Sequence, residues 1–133
     1  MLGDNNAVAS LAVKDLGRAK QFYEEVLGLQ PVEQEGRELV SYKSGESTIN
    51  VYRSDFAGTN KATALTWQVA DIDAAVRDLK TKGVAFEHYQ MPGLKQDGDV
   101  YVAPDGHMRV AWFKDPDGNI LNIVAEETSG QRH

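Results

Sequence analysis

Two short alternating runs stand 56 positions apart, Ser10-Leu11-Ala12-Val13-Lys14-Asp15-Leu16 and Thr66-Trp67-Gln68-Val69-Ala70-Asp71-Ile72. Apolar residues at every second position predict a half-buried strand. Each run ends in Val-x-Asp followed by Leu or Ile, and helical spacing then takes over. Leu16, Ala19, Phe22, Tyr23, Val26 and Leu27 make one apolar stripe; Ile72, Ala75, Val76 and Leu79 make another. Asp15 and Asp71 are predicted N-caps, because a short carboxylate accepts from a free first-turn N–H and sits at the positive end of the helix dipole. Gly28 and Gly83 fall where a left-handed residue closes a helix.

Strands follow each helix. The pattern predicts Val32–Gln34, Glu38–Lys43 and Thr48–Arg53 in the first half, parted by turns at Gly36 and at Ser44-Gly45-Glu46. It predicts Val84–Tyr89, Met108–Phe113 and Asn119–Ala125 in the second, the last two joined by the turn Asp115-Pro116-Asp117-Gly118. Each half therefore reads as β-α-β-β-β. Asn50 in Ile49-Asn50-Val51 matches Asn122 in Leu121-Asn122-Ile123, but 72 positions on rather than 56. The second half thus carries an insertion between Gln90 and His107, in which Val100–Ala103 suggests a small extra strand. Loops of that length in compact domains tend to be functional. Modules of this length are marginal alone, so modules at about 6–58 and 62–126 are expected to share one domain, 1–133.

Composition narrows the chemistry. The 133 residues include no cysteine and three histidines, one of them the C-terminal His133. Thiol nucleophiles, disulfides and cysteine-based metal sites are excluded. The formal net charge is −6, with no basic run, which opposes nucleic-acid binding. No apolar stretch approaches the roughly 20 residues that cross a bilayer, so no membrane partner is expected. The N-terminus lacks the pattern of a signal peptide, and a cytoplasmic location is the expectation. Thr128–His133 is small and polar and expected to fray. No phosphate loop, dinucleotide fingerprint or nucleophile elbow is present.

Val13-Lys14-Asp15-Leu16 with Phe22-Tyr23-Glu24-Glu25-Val26-Leu27-Gly28-Leu29 resembles the opening of the vicinal oxygen chelate superfamily, which includes glyoxalase I, bleomycin-resistance proteins, fosfomycin-resistance enzymes and extradiol dioxygenases. Ala111-Trp112-Phe113-Lys114-Asp115-Pro116-Asp117-Gly118-Asn119-Ile120-Leu121 resembles its second-half signature. The resemblance runs from about Ala7 to Glu126. It implies an α+β fold: two βαβββ modules forming a curled mixed sheet with a cleft, helices on the outer face, and usually a homodimer. In the family's enzymes a divalent metal in the cleft acts as a Lewis acid on a substrate with two neighbouring oxygens.

Carried over residue by residue, the family's first-strand ligand positions fall on Val8 and Ala64, and the last-strand positions on Asn50 and Asn122. The family's metal enzymes have His, Gln or Glu there. Two neutral amides without imidazole or carboxylate are a poor set for a transition metal, so no metal or cofactor is expected. Strand alternation turns Val8, Ser10, Asn50, Tyr52, Ala64, Thr66, Gln68 and Asn122 toward the cleft. With Trp112 they are the candidate ligand-binding residues, a mixed apolar and neutral wall suited to a small organic molecule.

Other residues have two readings. Trp112 is either a stacking surface or core between sheet and helix, and the parity of Trp67 favours core. Tyr89 and Tyr101, like Tyr52, are candidates for the cleft rim. His88 and His107 read as a strand end and a turn residue, with acid–base or ligand roles as the alternative. Arg53 and Arg109 fit an anionic ligand or surface pairs equally. Asp115 and Asp117 read as turn chemistry rather than a catalytic pair. The expected function is a metal-independent small-molecule-binding protein of the bleomycin-resistance type. The alternative is a lyase, isomerase or dioxygenase-like enzyme with displaced metal ligands or a metal-free mechanism, drawing on His88, His107, Glu87 or Glu38.

Overall fold

In the computed structural model, residues 2–4, 6–35 and 38–126 are described. The turn expected at Gly36 and the tail Thr128–His133 lie outside them. The chain forms two compact units. The first runs to Lys61 and includes Asp115–Asn119; the second takes Ala62–Lys114 and the chain from Ile120 on.

The first unit holds β1 (Ala9–Val13), α1 (Leu16–Lys20), β2 (Gln30–Glu35), β3 (Leu39–Ser44) and β4 (Ser47–Arg53). Sheet order is β1-β4-β3-β2, with β1 parallel to β4 and the other pairs antiparallel. Asp15 caps α1, its carboxylate accepting from the Arg18 N–H at 3.1 Å. Over Gln21–Val26 the helix widens, and the Leu27 N–H donates five residues back to the Phe22 carbonyl at 3.0 Å. The α-helical spacing expected through Leu27 is thus relaxed in its second half. Gly28 closes the helix at φ 75°. Leu11, Val13, Val40, Tyr42, Ile49 and Val51 are buried with Ala19 and Tyr23 of the helix, leaving the alternate residues on the opposite face.

The second unit repeats the plan with β5 (Thr63–Gln68), α2 (Ile72–Thr81), β6 (Phe86–Glu87), β7 (Lys95–Asp97), β8 (Val100–Val102), β9 (Met108–Lys114) and β10 (Ile120–Glu126). Strand order is β5-β10-β9-β8-β7, β5 is parallel to β10, and β6 also pairs with β9. Asp71 caps α2 through the Ala74 N–H at 3.1 Å. The buried stripe is Ile72, Val76 and Leu79. Trp67 stacks on Phe113 at 6.5 Å and Phe86 meets Phe113 edge-on at 5.7 Å, so Trp67 lies on the helix side as its parity predicts. The strand expected over Val84–Tyr89 shortens to Phe86–Glu87, because β8 takes the continuation of the same β9 edge. The insertion carries a hairpin, β7 with β8, where only its second strand was expected.

The turn between β9 and β10 belongs to the first unit, and a buried polar cluster ties it there. The Tyr23 hydroxyl donates to Asp115 Oδ2 at 2.7 Å. Asn119 Nδ2 donates to the same oxygen at 2.8 Å and to the Ala12 carbonyl at 2.7 Å. Asp115 Oδ1 accepts the Asp117 and Asn119 N–H groups, each at 2.9 Å. Burial first, and then the Asp115 charge, push the Tyr23 hydroxyl far above its ordinary range, so it remains a donor. Gly58, at φ +74°, lies so close under the Asp117 carbonyl that a Cβ there would collide with it. Asp115 is thus the hub of a docked turn, in line with the reading of Asp115 and Asp117 as turn residues.

Candidate functional site

In the first unit the register sets Ser10 beside Asn50 on β4, and Asn50 beside Ser41 on β3. All three lie on the face opposite the helix. The Ser41 hydroxyl donates to Asn50 Oδ1 at 2.6 Å, so that carbonyl is engaged. Tyr52 follows on the same face, beside Ala12 and Leu39, and is exposed. Val8 stands just before β1 and is also exposed.

In the second unit Asn122 sits between Thr66 on β5 and Trp112 on β9. The alternation puts Gln68 beside Val124 on this face. Ala64 lies at the irregular step of the β5–β10 pairing, and Ala64, Thr66 and Gln68 are exposed. Asn122 is buried, and its Oδ1 has no hydrogen-bond partner. The two matched asparagines therefore differ: Asn50 Oδ1 accepts from Ser41, while Asn122 Oδ1 is buried without a protein partner.

Trp112 corrects one expectation. As core it was expected between sheet and helix, yet its register with Asn122 places it on the opposite face. It is nonetheless buried, because the insertion folds over it. Tyr101 meets its ring edge-on at 5.3 Å and Tyr89 at 5.6 Å. Met91, Leu94 and Met108 pack against the same cluster. Its indole N–H donates to Thr63 Oγ1 at 3.2 Å. Tyr101, read as a rim residue, is only 2% exposed; its hydroxyl accepts the Tyr89 N–H at 2.6 Å. This cluster was missed as a unit. The signal for it was the spacing of Tyr89, Met91 and Leu94, apolar residues inside an otherwise polar loop.

The remaining candidates make local pairs. His88 Nε2 meets Asp99 Oδ1 at 2.8 Å, and Lys80 Nζ meets Asp99 Oδ2 at 2.8 Å. These two hydrogen bonds, the one from Lys80 first, hold the Asp99 carboxyl below its ordinary range. His107 sits in the turn where its N–H donates to Asp105 Oδ1 at 2.9 Å. Arg53 pairs with Asp55 at 3.1 Å, and Arg109 clasps Asp73 at 3.1 and 3.3 Å. Glu87 faces Lys114 at 3.7 Å, and Glu38 accepts the Arg53 N–H through its backbone carbonyl at 2.9 Å. Among the described residues no three His, Asp or Glu side chains converge as a metal site, and no helix is long and apolar enough to cross a membrane.

The module plan and its signature turns define a superfamily. The family model for the Glyoxalase/Bleomycin resistance protein/Dioxygenase superfamily matches residues 6–123, and the chain belongs to that superfamily. Solved structures share the fold. A lactoylglutathione lyase from Agrobacterium tumefaciens superposes with a TM-score of 0.70 at 18% identity, covering 91% of this chain and 92% of that one. An antibiotic binding protein from a Streptomyces species gives 0.65 at 23% identity, covering 92% and 96%. The genomically encoded fosfomycin resistance protein FosX from Listeria monocytogenes gives 0.70 at 16% identity, covering 97% and 98%. At these identities the likeness speaks for the fold.

Proposed function

We propose that this chain is a small-molecule-binding protein of the glyoxalase and bleomycin-resistance type, and that its binding needs no divalent metal. The observation that carries this reading is the state of the four family ligand positions. Val8 and Ala64 offer no donor atom. Asn50 offers a neutral amide oxygen already bonded by Ser41, and Asn122 offers a neutral amide oxygen that is buried and unpaired. A divalent transition metal needs imidazole, thiolate or carboxylate ligands in number, so the residues present do not fit one. They fit an uncharged organic molecule. Within the second unit, Thr66, Gln68 and Asn122 give neutral hydrogen-bonding groups beside apolar neighbours, the lining small-molecule sites use, and Ser10 and Asn50 do so separately within the first unit. A ligand N–H or O–H that displaces the side chains covering Asn122 Oδ1 would pair this buried acceptor, which is costly to leave unpaired. The antibiotic-binding neighbour illustrates such a use of this fold.

Equilibrium dialysis against a panel of uncharged organic compounds, with and without a strong chelator, tests this. Saturable binding that ignores the chelator, and that weakens about tenfold in Asn122→Leu, supports the reading. Binding or turnover that appears only with added divalent metal favours the enzyme alternative and overturns it.

A further inference from the structure

The Trp112 indole lies across the strand that carries Asn122. Its backbone stands on β9 opposite Asn122 of β10, while its ring N–H donates to Thr63 Oγ1 on β5 at 3.2 Å. Strand β10 runs between β9 and β5, so the ring crosses over it. The insertion holds the ring down: Tyr89 and Tyr101 meet it edge-on, and Met91 and Leu94 pack on the same cluster. We propose that residues 89–98 form a lid that keeps the Trp112 indole over Asn122, that the Asp99 carboxylate staples the two ends of this lid, and that a small molecule reaches this part of the strand face only when the lid lifts. This gating rests on the strand-face reading of function and adds a control on entry to that face.

The lid is thinly attached. Gln90, Pro92, Gly93 and all of β7 are exposed, and Tyr89, Met91 and Leu94 are only half-buried. Strand β7 pairs with β8 and forms the outer edge of the sheet. Segments with few buried apolar side chains open at lower cost than the core they cover. Tyr101 differs, being fully buried on β8, which pairs with β9; it stays with the sheet.

The staple joins three segments. His88 directly precedes the lid and Asp99 directly follows it, and His88 Nε2 meets Asp99 Oδ1 at 2.8 Å. Lys80 of α2 donates to the other oxygen at 2.8 Å. One carboxylate, on a side chain 19% exposed, therefore ties both ends of the lid to each other and to the helix. Compact surface loops with close ends, packed by their own side chains, are frequently functional. An isolated exposed ion pair is worth little, and a network of charges is worth more.

Charge at the staple depends on pH. The charged groups on Asp99 are Lys80 and His88. Glu87, beside His88, faces Lys114 of β9 at 3.7 Å, and Lys95 and Asp97 of β7 are exposed. Lys80 first, and then His88, hold the Asp99 carboxyl below its ordinary range, so it is ionised from about pH 4 upward. Histidine gains its charge as pH falls from about 8 to 5. The staple is tightest in mild acid, with two cations on one anion, and looser above neutrality, where Lys80 is the one cation left.

Two readouts without ligand test this. Acrylamide, itself a small neutral molecule, quenches an indole it can reach. It is applied to the full chain carrying Trp67→Phe, which keeps a ring against Phe113 and leaves Trp112 as the one tryptophan. Hydrogen exchange is read on the chain with both tryptophans. At about pH 6, Asp99→Asn should raise the quenching constant about two- to threefold and speed exchange of residues 89–98 about three- to tenfold, with β9 and β10 unchanged. Between about pH 6 and pH 8 the parent lid should loosen, after correction for intrinsic exchange. His88→Gln, which keeps a hydrogen-bonding side chain without the charge, should remove that dependence. Unchanged quenching and exchange in Asp99→Asn would overturn the proposal. So would loosening that spreads through β9 and β10, the mark of a general loss of stability, or a pH response that survives His88→Gln. Neither readout uses a ligand, so the lid can fail while strand-face binding stands, and binding can fail while the lid moves.

Discussion

Replacing Tyr23 by Phe removes one oxygen from the centre of the first unit and leaves the ring in place. The ring is fully buried, stands 5.2 Å edge-on from Phe22 and 6.2 Å from Tyr42, and Phe fills that space. What is lost is the 2.7 Å hydrogen bond to Asp115 Oδ2. Asp115 is not orphaned, because both N–H groups of the turn and Asn119 Nδ2 still reach it. The loss is therefore that of one bond to a charged acceptor, about 1.5–3 kcal/mol, rather than the larger cost of an unpaired buried ion. For a chain of this length about 1 kcal/mol corresponds to roughly 4 °C in Tm, so Tyr23→Phe should melt roughly 6–12 °C lower. Circular dichroism melts at neutral pH read this directly. Tyr42→Phe is the internal control, since its hydroxyl donates to Glu24 at 2.8 Å in a partly exposed setting, and it should lose less. A Tyr23→Phe protein melting within about 2 °C of wild type would refute the view that the turn is held by this bond.

Further outcomes follow from the same geometry. Gly58→Ala should destabilise by more than about 1 kcal/mol in denaturant titration, because its φ is positive and its Cβ would meet the Asp117 carbonyl. Asp71→Ala should cost about 1 kcal/mol through loss of the α2 cap. Tyr23 and Tyr42 have raised hydroxyl pKa values, each chiefly by burial. Unfolded tyrosines ionise near about pH 10 while these do not, so stability should be full below that pH and fall above it, less steeply in Tyr42→Phe. Asp99 is lowered, so its contribution is present above about pH 4 and is lost as pH falls through its folded value; Asp99→Asn should flatten the acid limb of the stability curve.

The repeat made the architecture legible because each copy carries its own signals: alternation, a capping aspartate, a helical stripe and a stopping glycine. Strand alternation also put Ser10 with Asn50, and Thr66 with Asn122, on shared faces, as the register has them. Three features were hidden for physical reasons. Strand β9 reads Val110-Ala111-Trp112-Phe113, apolar on both faces, so period two cannot say which way Trp112 points. Strand β7 is Lys95-Gln96-Asp97, fully exposed, and has no apolar position to announce it. The bond from Tyr23 to Asp115 spans 92 residues, and neither residue carries a local mark of the other. At the site, sequence supplied residue types, but only coordinates separate an asparagine engaged by Ser41 from one left unpaired.

The central claim, binding without a metal, meets its most direct test in elemental analysis. The protein is purified without chelator, incubated with zinc, manganese, nickel and ferrous iron in turn, and dialysed. Far less than one metal ion per chain is expected in every case, with ligand binding unchanged. One tightly held divalent ion per chain, lost in Asn122→Ala together with ligand binding, would contradict it.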